Sequence, residues 1–275
     1  EIEQLIVTEE EFYEAKDLAS TELKSALQKA AENIRAYHRE QLEKSWFINQ
    51  DEGILLGQKI TPIEKVGVYV PGGKAGYPSS VLMAVIPAQI AGVNEIVITT
   101  PPGKDGKVNP YVLIAADLLG INKIYKVGGA QAIAALAYGT ETVEKVDKIV
   151  GPGNAYVARA KKWVYGTVGI DMIAGPSEIC VIADEKANPK YVAADLLSQA
   201  EHDETASAIC VTTSRELAEK IQEEVRLQTE TLERKAIIQE SINTNGRIIV
   251  TKDLMEACEV SNRIAPEHLE IMTED

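Results

Sequence analysis

The chain has 275 residues, of which 45% are hydrophobic and 25% charged, with a formal net charge of −14. This is the composition of a globular protein with room for one large or two ordinary domains. The acidic balance argues against nucleic acid or an anionic membrane surface as a partner, while leaving open a local basic pocket for an anionic cofactor. The longest apolar stretch, residues 81–93, is interrupted by Pro87 and is too short to span a bilayer. No secretory pattern opens the chain. Cys180, Cys210 and Cys258 are an odd number without C-x-x-C spacing, which speaks against a disulfide frame or a thiolate zinc knuckle. Cys180 and Cys210 sit in apolar runs and read as small buried hydrophobes, in keeping with a reducing, cytoplasmic setting. Glu1 and Asp275 read as interior positions of a longer chain.

In chain order, residues 8–44 predict one helix: Thr8 before acidic residues is an N-cap signal, and Leu23, Ala26, Leu27, Ala30, Ile34 and Tyr37 recur at helical spacing. His38 in this charged segment reads as a surface residue. From Ile60 onward, short apolar strands at 66–70, 95–99, 123–127, 145–150, 179–183, 208–212 and 247–250 alternate with helical patterns near 79–91, 110–119, 130–138, 154–165, 189–202, 214–229 and 252–263. Strand–helix alternation predicts parallel α/β sheets with right-handed crossovers. The heaviest breaks, Pro71-Gly72-Gly73 and Gly175-Pro176, suggest an inserted α/β unit at 69–176. Segments 1–68 and 177–275 would then form a second, discontinuous unit, with a ligand cleft between the two.

Four glycine-rich loops follow strand-like runs: Pro71-Gly72-Gly73, Gly128-Gly129-Ala130-Gln131, Gly151-Pro152-Gly153-Asn154 and Ala174-Gly175-Pro176-Ser177. Glycine permits tight turns and close approach of a ligand, and a helix opening after such a loop offers free N–H groups to an anion. Gln131 and Asn154 stand at such helix starts. Any one loop is equally an ordinary βα turn, and no G-x-G-x-x-G fingerprint follows the first strand.

The helix opened by Asn188-Pro189 carries Asp195, Gln199 and His202 at i, i+4 and i+7, on one face near its end, while Val192, Ala193 and Leu196 can pack on a sheet. The chain has three histidines. A histidine aligned with a carboxylate and an amide suggests a metal, yet the helix dipole alone also favours histidine there, and two or three donors do not close a site. Near the end, Ala265-Pro266-Glu267-His268 sets a carboxylate beside an imidazole at the opening of a strand or loop. Such a pair can divide acid–base work, or be a surface glutamate beside a packed histidine.

In this order and spacing, VGVYVPGG, VGGAQAIAALAYGTETVEKVDKIVGPGNAYV, IDMIAGPSEICVIAD, ADLLSQAEHD and APEHL resemble the histidinol dehydrogenase family from about Ile60 to Asp275. The resemblance implies two Rossmann-like parallel-sheet units preceded by an N-terminal helix. It implies zinc-dependent oxidation of L-histidinol to L-histidine, through an aldehyde held on the enzyme, by two NAD-dependent hydride transfers in histidine biosynthesis. By match to the family's positions, Tyr69, Gln131 and Asn154 would contact NAD, and Ser177, Gln199 and His202 the substrate. Gln199 and His202 would also bind zinc, and Glu267 and His268 would be catalytic. The family's other zinc ligands, an aspartate and a histidine, the latter supplied by the partner of a homodimer together with a substrate-binding glutamate, would fall beyond Asp275. Asp195 is not a ligand in the family and is expected to support the helix. A dehydrogenase of another small polar alcohol and a non-catalytic metabolite-binding protein are the competing readings. A thiol nucleophile at Cys210 is weaker, because its apolar flanks offer no cation to lower the thiol pKa.

Overall fold

The computed structural model describes residues 5–50, 53–72 and 76–274, so Gly73 of the first glycine-rich loop lies outside the described residues. The chain divides into two compact units, 1–174 and 175–275.

The first unit begins with α1 (Glu9–Leu18) and α2 (Thr21–Arg39) rather than one long helix. Thr8 forms the expected capping box with Glu11, but Ala19 leaves helical geometry and the Ser20 hydroxyl accepts from the Leu23 N–H, starting a second helix. Serine competes for backbone donors in this way, and the periodicity of 8–44 hid it. An antiparallel hairpin, β1 (Trp46–Asn49) and β2 (Leu55–Gln58), follows with Trp46, Phe47, Leu55 and Leu56 exposed.

Then come β3 (Lys65–Tyr69), α3 (Pro78–Ile90), β4 (Glu95–Thr99), α4 (Pro110–Leu118), β5 (Ile124–Tyr125), α5 (Gly129–Tyr138), β6 (Lys148–Val150), α6 (Ala155–Val164) and β7 (Gly169–Ile170). The strands form a parallel sheet in the order β5-β4-β3-β6-β7. Side chains alternate across it. Val66, Val68, Ile96, Ile98 and Ile124 pack under α1 to α4, whereas Tyr69, Val97, Tyr125 and Ile149 pack under α5 and α6. Gly67 lets α5 approach closely, since a Cβ there would stand 2.9 Å from Leu136 Cδ1.

The expected grouping of 1–68 with 177–275 therefore differs from the observed division. β3 is the central strand of the first sheet, α1 and α2 pack into that unit's core, and the Val7 N–H donates to the Ile124 carbonyl at 2.9 Å. A helix whose apolar stripe has no sheet beneath it in the sequence pattern gives no sign of which later strand it will cover.

The second unit contains β8 (Glu178–Ala183), α7 (Pro189–Ala200), β9 (Ser207–Thr212), α8 (Arg215–Thr229), α9 (Lys235–Asn245), β10 (Arg247–Val250), α10 (Leu254–Ile264) and β11 (His268–Met272). All four strands are parallel, ordered β10-β9-β8-β11. Cys180 and Cys210 are buried as expected, and burial pushes the Cys210 thiol up to about 12; Cys258 is exposed. No helix among the described residues is long and apolar enough to cross a membrane.

Candidate active site

In the first sheet, the chain leaves β3 towards β4 and β5 but leaves β6 towards β7, so the loops after β3 and β6 diverge. Parallel sheets bind ligands in the crevice at such a reversal, beyond the carboxyl ends of the strands. Tyr69 is the last residue of β3, and its Oη accepts a 3.0 Å hydrogen bond from the N–H of Gly129, the first residue of α5. Gln131 stands exposed in the first turn of that helix. After β6, Gly151 takes φ = 111°, a conformation open to glycine. A Cβ on it would lie 2.1 Å from the Tyr69 carbonyl oxygen. Asn154 caps α6, its Oδ1 accepting from the N–H groups of Tyr156 and Val157 at 3.1 Å each, a cap contributing about 1 kcal/mol. Only the Asn154 NH₂ end is left for another partner, so the amide is less free than its position at a helix start suggested. Tyr69, Gln131 and Asn154 thus lie along one edge of one sheet, and Tyr69 touches the loops of the other two.

The second unit gathers its polar groups at the opposite edge. Ser177 leads into β8 and its carbonyl accepts from the Ser207 N–H at 3.0 Å. Since α7 runs back antiparallel to the strands, its end brings Gln199 and His202 to the amino end of the sheet. The Val192, Ala193 and Leu196 face of α7 is buried, as the spacing required. His202 Nδ1 lies 2.7 Å from the Ser198 carbonyl; a carbonyl only accepts, so Nδ1 carries the proton and Nε2 keeps the lone pair. Metal-binding histidines are oriented by this kind of bond. Gln199 is nearly buried, with relative exposure 7%.

Glu267 immediately precedes β11 and His268 opens it, in register with Ile179 of β8. His268 Nδ1 is 3.2 Å from the Glu178 carbonyl and 3.8 Å from Glu267 Oε2, so Nε2 is the basic end here too. Both residues are exposed. Immediately before them, Ala265 has φ = 50°, the one non-glycine with positive φ among the described residues, and ends α10. The chain is turned sharply there, so β11 starts at His268 with Glu267 in the bend just before it.

One contact not foreseen in the sequence joins the two parts of this edge. Burial, and then the neighbouring Asp195 carboxylate, hold the Glu270 carboxyl above its ordinary value. Asp195 lies one turn before Gln199 on α7, and Glu270 lies two residues after His268 on the same side of β11. The two carboxyl groups therefore place the helix of the amide–imidazole pair beside the strand of the Glu–His pair. The i, i+4, i+7 face marked Asp195 as a neighbour of Gln199; no local pattern could mark Glu270 as its partner, 75 positions away.

Among the described residues no group of three or more His, Cys, Asp or Glu side chains is arranged to hold a metal. An imidazole with Nε2 free is a zinc ligand and the neighbouring amide oxygen a weaker second donor, so these residues would supply at most two of the ligands zinc needs. At the crevice of the first sheet Gln131 and Asn154 are exposed, while Tyr69 and Gly151 are buried beneath them, so the two amides are the groups that a nucleotide could reach.

The sequence model described as histidinol dehydrogenase matches residues 1–275. The chain is 58% identical over 269 residues to the histidinol dehydrogenase of Oceanobacillus iheyensis, covering 98% of this chain and 63% of that protein. It is 58% identical over 274 residues to that of Bacillus subtilis, covering all of this chain and 64% of the relative. The crystal structure of the Elizabethkingia anophelis histidinol dehydrogenase superposes with a TM-score of 0.91 at 45% identity, over 98% of this chain and 63% of that one. The chain thus spans somewhat under two thirds of the length of these relatives. With a match that runs from one end of the described fold to the other and includes both polar edges, the chain belongs to the histidinol dehydrogenase family.

Proposed function

We propose that this protein acts as a zinc-dependent, NAD-dependent histidinol dehydrogenase, converting L-histidinol to L-histidine by way of the aldehyde. The observation that carries the reading is the Nδ1 pinning of His202 and His268 on backbone carbonyls at one sheet edge, which presents two Nε2 lone pairs for different work. Gln199 and His202 would hold the zinc, with further ligands from outside this chain, and Ser177 would contact the substrate. Tyr69, Gln131 and Asn154 would hold NAD. When bound, zinc would supply a Lewis-acid anchor that orients the substrate, and NAD would supply the hydride acceptor.

The remaining chemistry belongs to the chain's own groups. His268 Nε2 takes the proton of the alcohol oxygen as the C–H bond is oxidised, a proton transfer of the kind that contributes about a hundred- to ten-thousand-fold. Glu267 takes a proton from water as that water adds to the aldehyde carbon, and His268 removes the hydroxyl proton of the hydrate in the second oxidation. A homodimer, whose partner would complete the site, and a cytoplasmic location belong to the same proposal.

The test is NADH formation by the full-length protein with zinc, given L-histidinol and, separately, other amino alcohols and diols. Two NADH per histidinol supports the reading. Preference for another alcohol overturns the substrate, and binding of NAD without NADH formation overturns the enzyme.

A further inference from the structure

Lys161 is almost wholly buried, at 3% relative exposure, and no step of the proposed chemistry uses it. It sits in the last turn of α6, seven residues after Asn154, and its ammonium points back to the loop from which that helix springs. Nζ donates to the Gly151 carbonyl at 3.0 Å and also binds Asp171 Oδ1. The other oxygen of the same carboxylate, Asp171 Oδ2, accepts from the Gly151 N–H at 2.7 Å. Both backbone groups of Gly151 are thus gripped by one ion pair. Gly151 is the residue with φ = 111° whose neighbour across the crevice is the Tyr69 backbone, and from it the loop runs to Asn154.

Packing on the Tyr69 backbone holds Gly151 on one side only. Gly151, Pro152 and Asp171 border an apolar cavity of about 520 Å³ on the α3 side, and the same three residues with Lys161 border a smaller one of about 120 Å³. With space on both sides, apolar packing around Pro152 and Asp171 is incomplete. A buried ammonium is stable only with its partners in place, so the pair has a preferred geometry and imposes it on the backbone. Two of the ammonium's three donors are already used and the group is shielded from solvent, which excludes direct recognition of a cofactor phosphate.

We propose that Lys161, with Asp171, is a positioning residue for dinucleotide binding: it fixes the Gly151–Asn154 loop at the reversal of the first sheet, and so sets NAD affinity without touching NAD. This rests on the functional reading above. It assigns to an ion pair in the first unit, its lysine buried and its aspartate exposed, an effect confined to one of the two substrates.

The experiment uses the full-length protein and measures the Kd of NAD by titration and KM for NAD and for L-histidinol, with a melting curve for each variant. Lys161→Met keeps the aliphatic stem and removes the charge. It should raise the Kd and KM for NAD about tenfold while the histidinol KM stays within twofold of the unsubstituted value. Asp171→Asn keeps an oxygen for the Gly151 N–H and weakens the ion pair, and should shift NAD affinity in the same direction by less. A folded Lys161→Met protein with unchanged NAD affinity, or one in which both KM values rise together, overturns the proposal. If Lys161→Met does not fold, Asp171→Asn decides by the same two numbers. An unsubstituted protein that binds no NAD sinks the functional reading and this one with it. Normal NAD binding that is weakened by Asn154→Ala but indifferent to the Lys161 and Asp171 changes sinks this one alone.

Discussion

The two sheets have the same strand order, third, second, first, fourth, with a fifth strand added to the first sheet, yet they offer opposite edges for chemistry. In the first unit the carboxyl edge carries the exposed Gln131 and Asn154 above the buried Tyr69 and Gly151, while the amino edge is sealed by charge. There Lys65 and Lys123 each bridge both Glu95 and Glu144 at 2.5–3.0 Å. In the second unit the sealed edge is the carboxyl one. Asp184 accepts from the N–H groups of Lys186 and Glu274 at 2.9 Å each, and Lys186 pairs with Glu274. The amino edge is the one carrying Ser177, Gln199, His202, Glu267 and His268. Topology makes a crevice available at a strand-order reversal; local side chains decide whether it is used or closed.

The largest expected effect tests whether the amino edge of the second sheet is the reactive one. Glu267→Gln should slow aldehyde oxidation by about a hundred- to ten-thousand-fold while sparing alcohol oxidation, since water activation needs the carboxylate and alcohol deprotonation does not. Single-turnover NADH formation from histidinol and from the aldehyde, measured separately, checks it; equal loss in both would remove the division of labour. Lys186→Met at the sealed edge of the same sheet should leave both rates unchanged.

This asymmetry was only partly legible in the sequence. Strand–helix alternation gave the parallel sheets, and loops such as Gly151-Pro152-Gly153-Asn154 marked the open edge of the first one, because a turn that needs positive φ needs glycine. Local signals also marked α7, through Asn188-Pro189 and the spacing of Asp195, Gln199 and His202. The amino-edge placement of these groups was not legible, since it depends on α7 running antiparallel and on β11 pairing with β8. Such pairings join residues about 90 positions apart and leave no periodic trace. For the same reason the Lys161 clamp was invisible: a lysine in a helix reads as solvated surface, and its partner Asp171 lies in another segment. The hairpin at 46–58 and helix α9 were missed because β1 and β2 are exposed on both faces and α9 has little buried surface to impose a pattern.

Next in size is Gly151→Ala, which sharpens the account of the first sheet's open edge. It combines a left-handed φ with a methyl group driven against the Tyr69 backbone, and should destabilise by about 2–4 kcal/mol. Chemical denaturation checks this. If the loop relaxed freely, the loss would be a few tenths of a kcal/mol and the NAD affinity unchanged.

A smaller effect separates two tyrosines in the same cross-strand row. Tyr69 Oη accepts from Gly129, so Tyr69→Phe strands a helix-start donor and should cost about 1–3 kcal/mol as well as NAD affinity. Tyr125 Oη is buried without a hydrogen-bond partner among the described residues, so Tyr125→Phe removes a desolvated hydroxyl and should be neutral or mildly stabilising. Equal losses in the two melting curves would contradict the assignment of Tyr69 to the open edge.

The smallest effect concerns the sealed edge of the first sheet. Hydrogen bonds from Lys123 and then Lys65 pull the Glu144 carboxyl down to about 2. A carboxyl held below its unfolded value stabilises the fold above that value, near 4.5, and loses this contribution as pH falls through about 2. Glu144→Gln removes the contribution at every pH. Its deficit against the unsubstituted protein should therefore be present at pH 7, shrink below about 4.5 and close near pH 2, and be smaller throughout in high salt because these side chains are exposed. A deficit independent of pH would mean that Glu144 acts by packing, and the first sheet's amino edge would then be closed by shape rather than by charge.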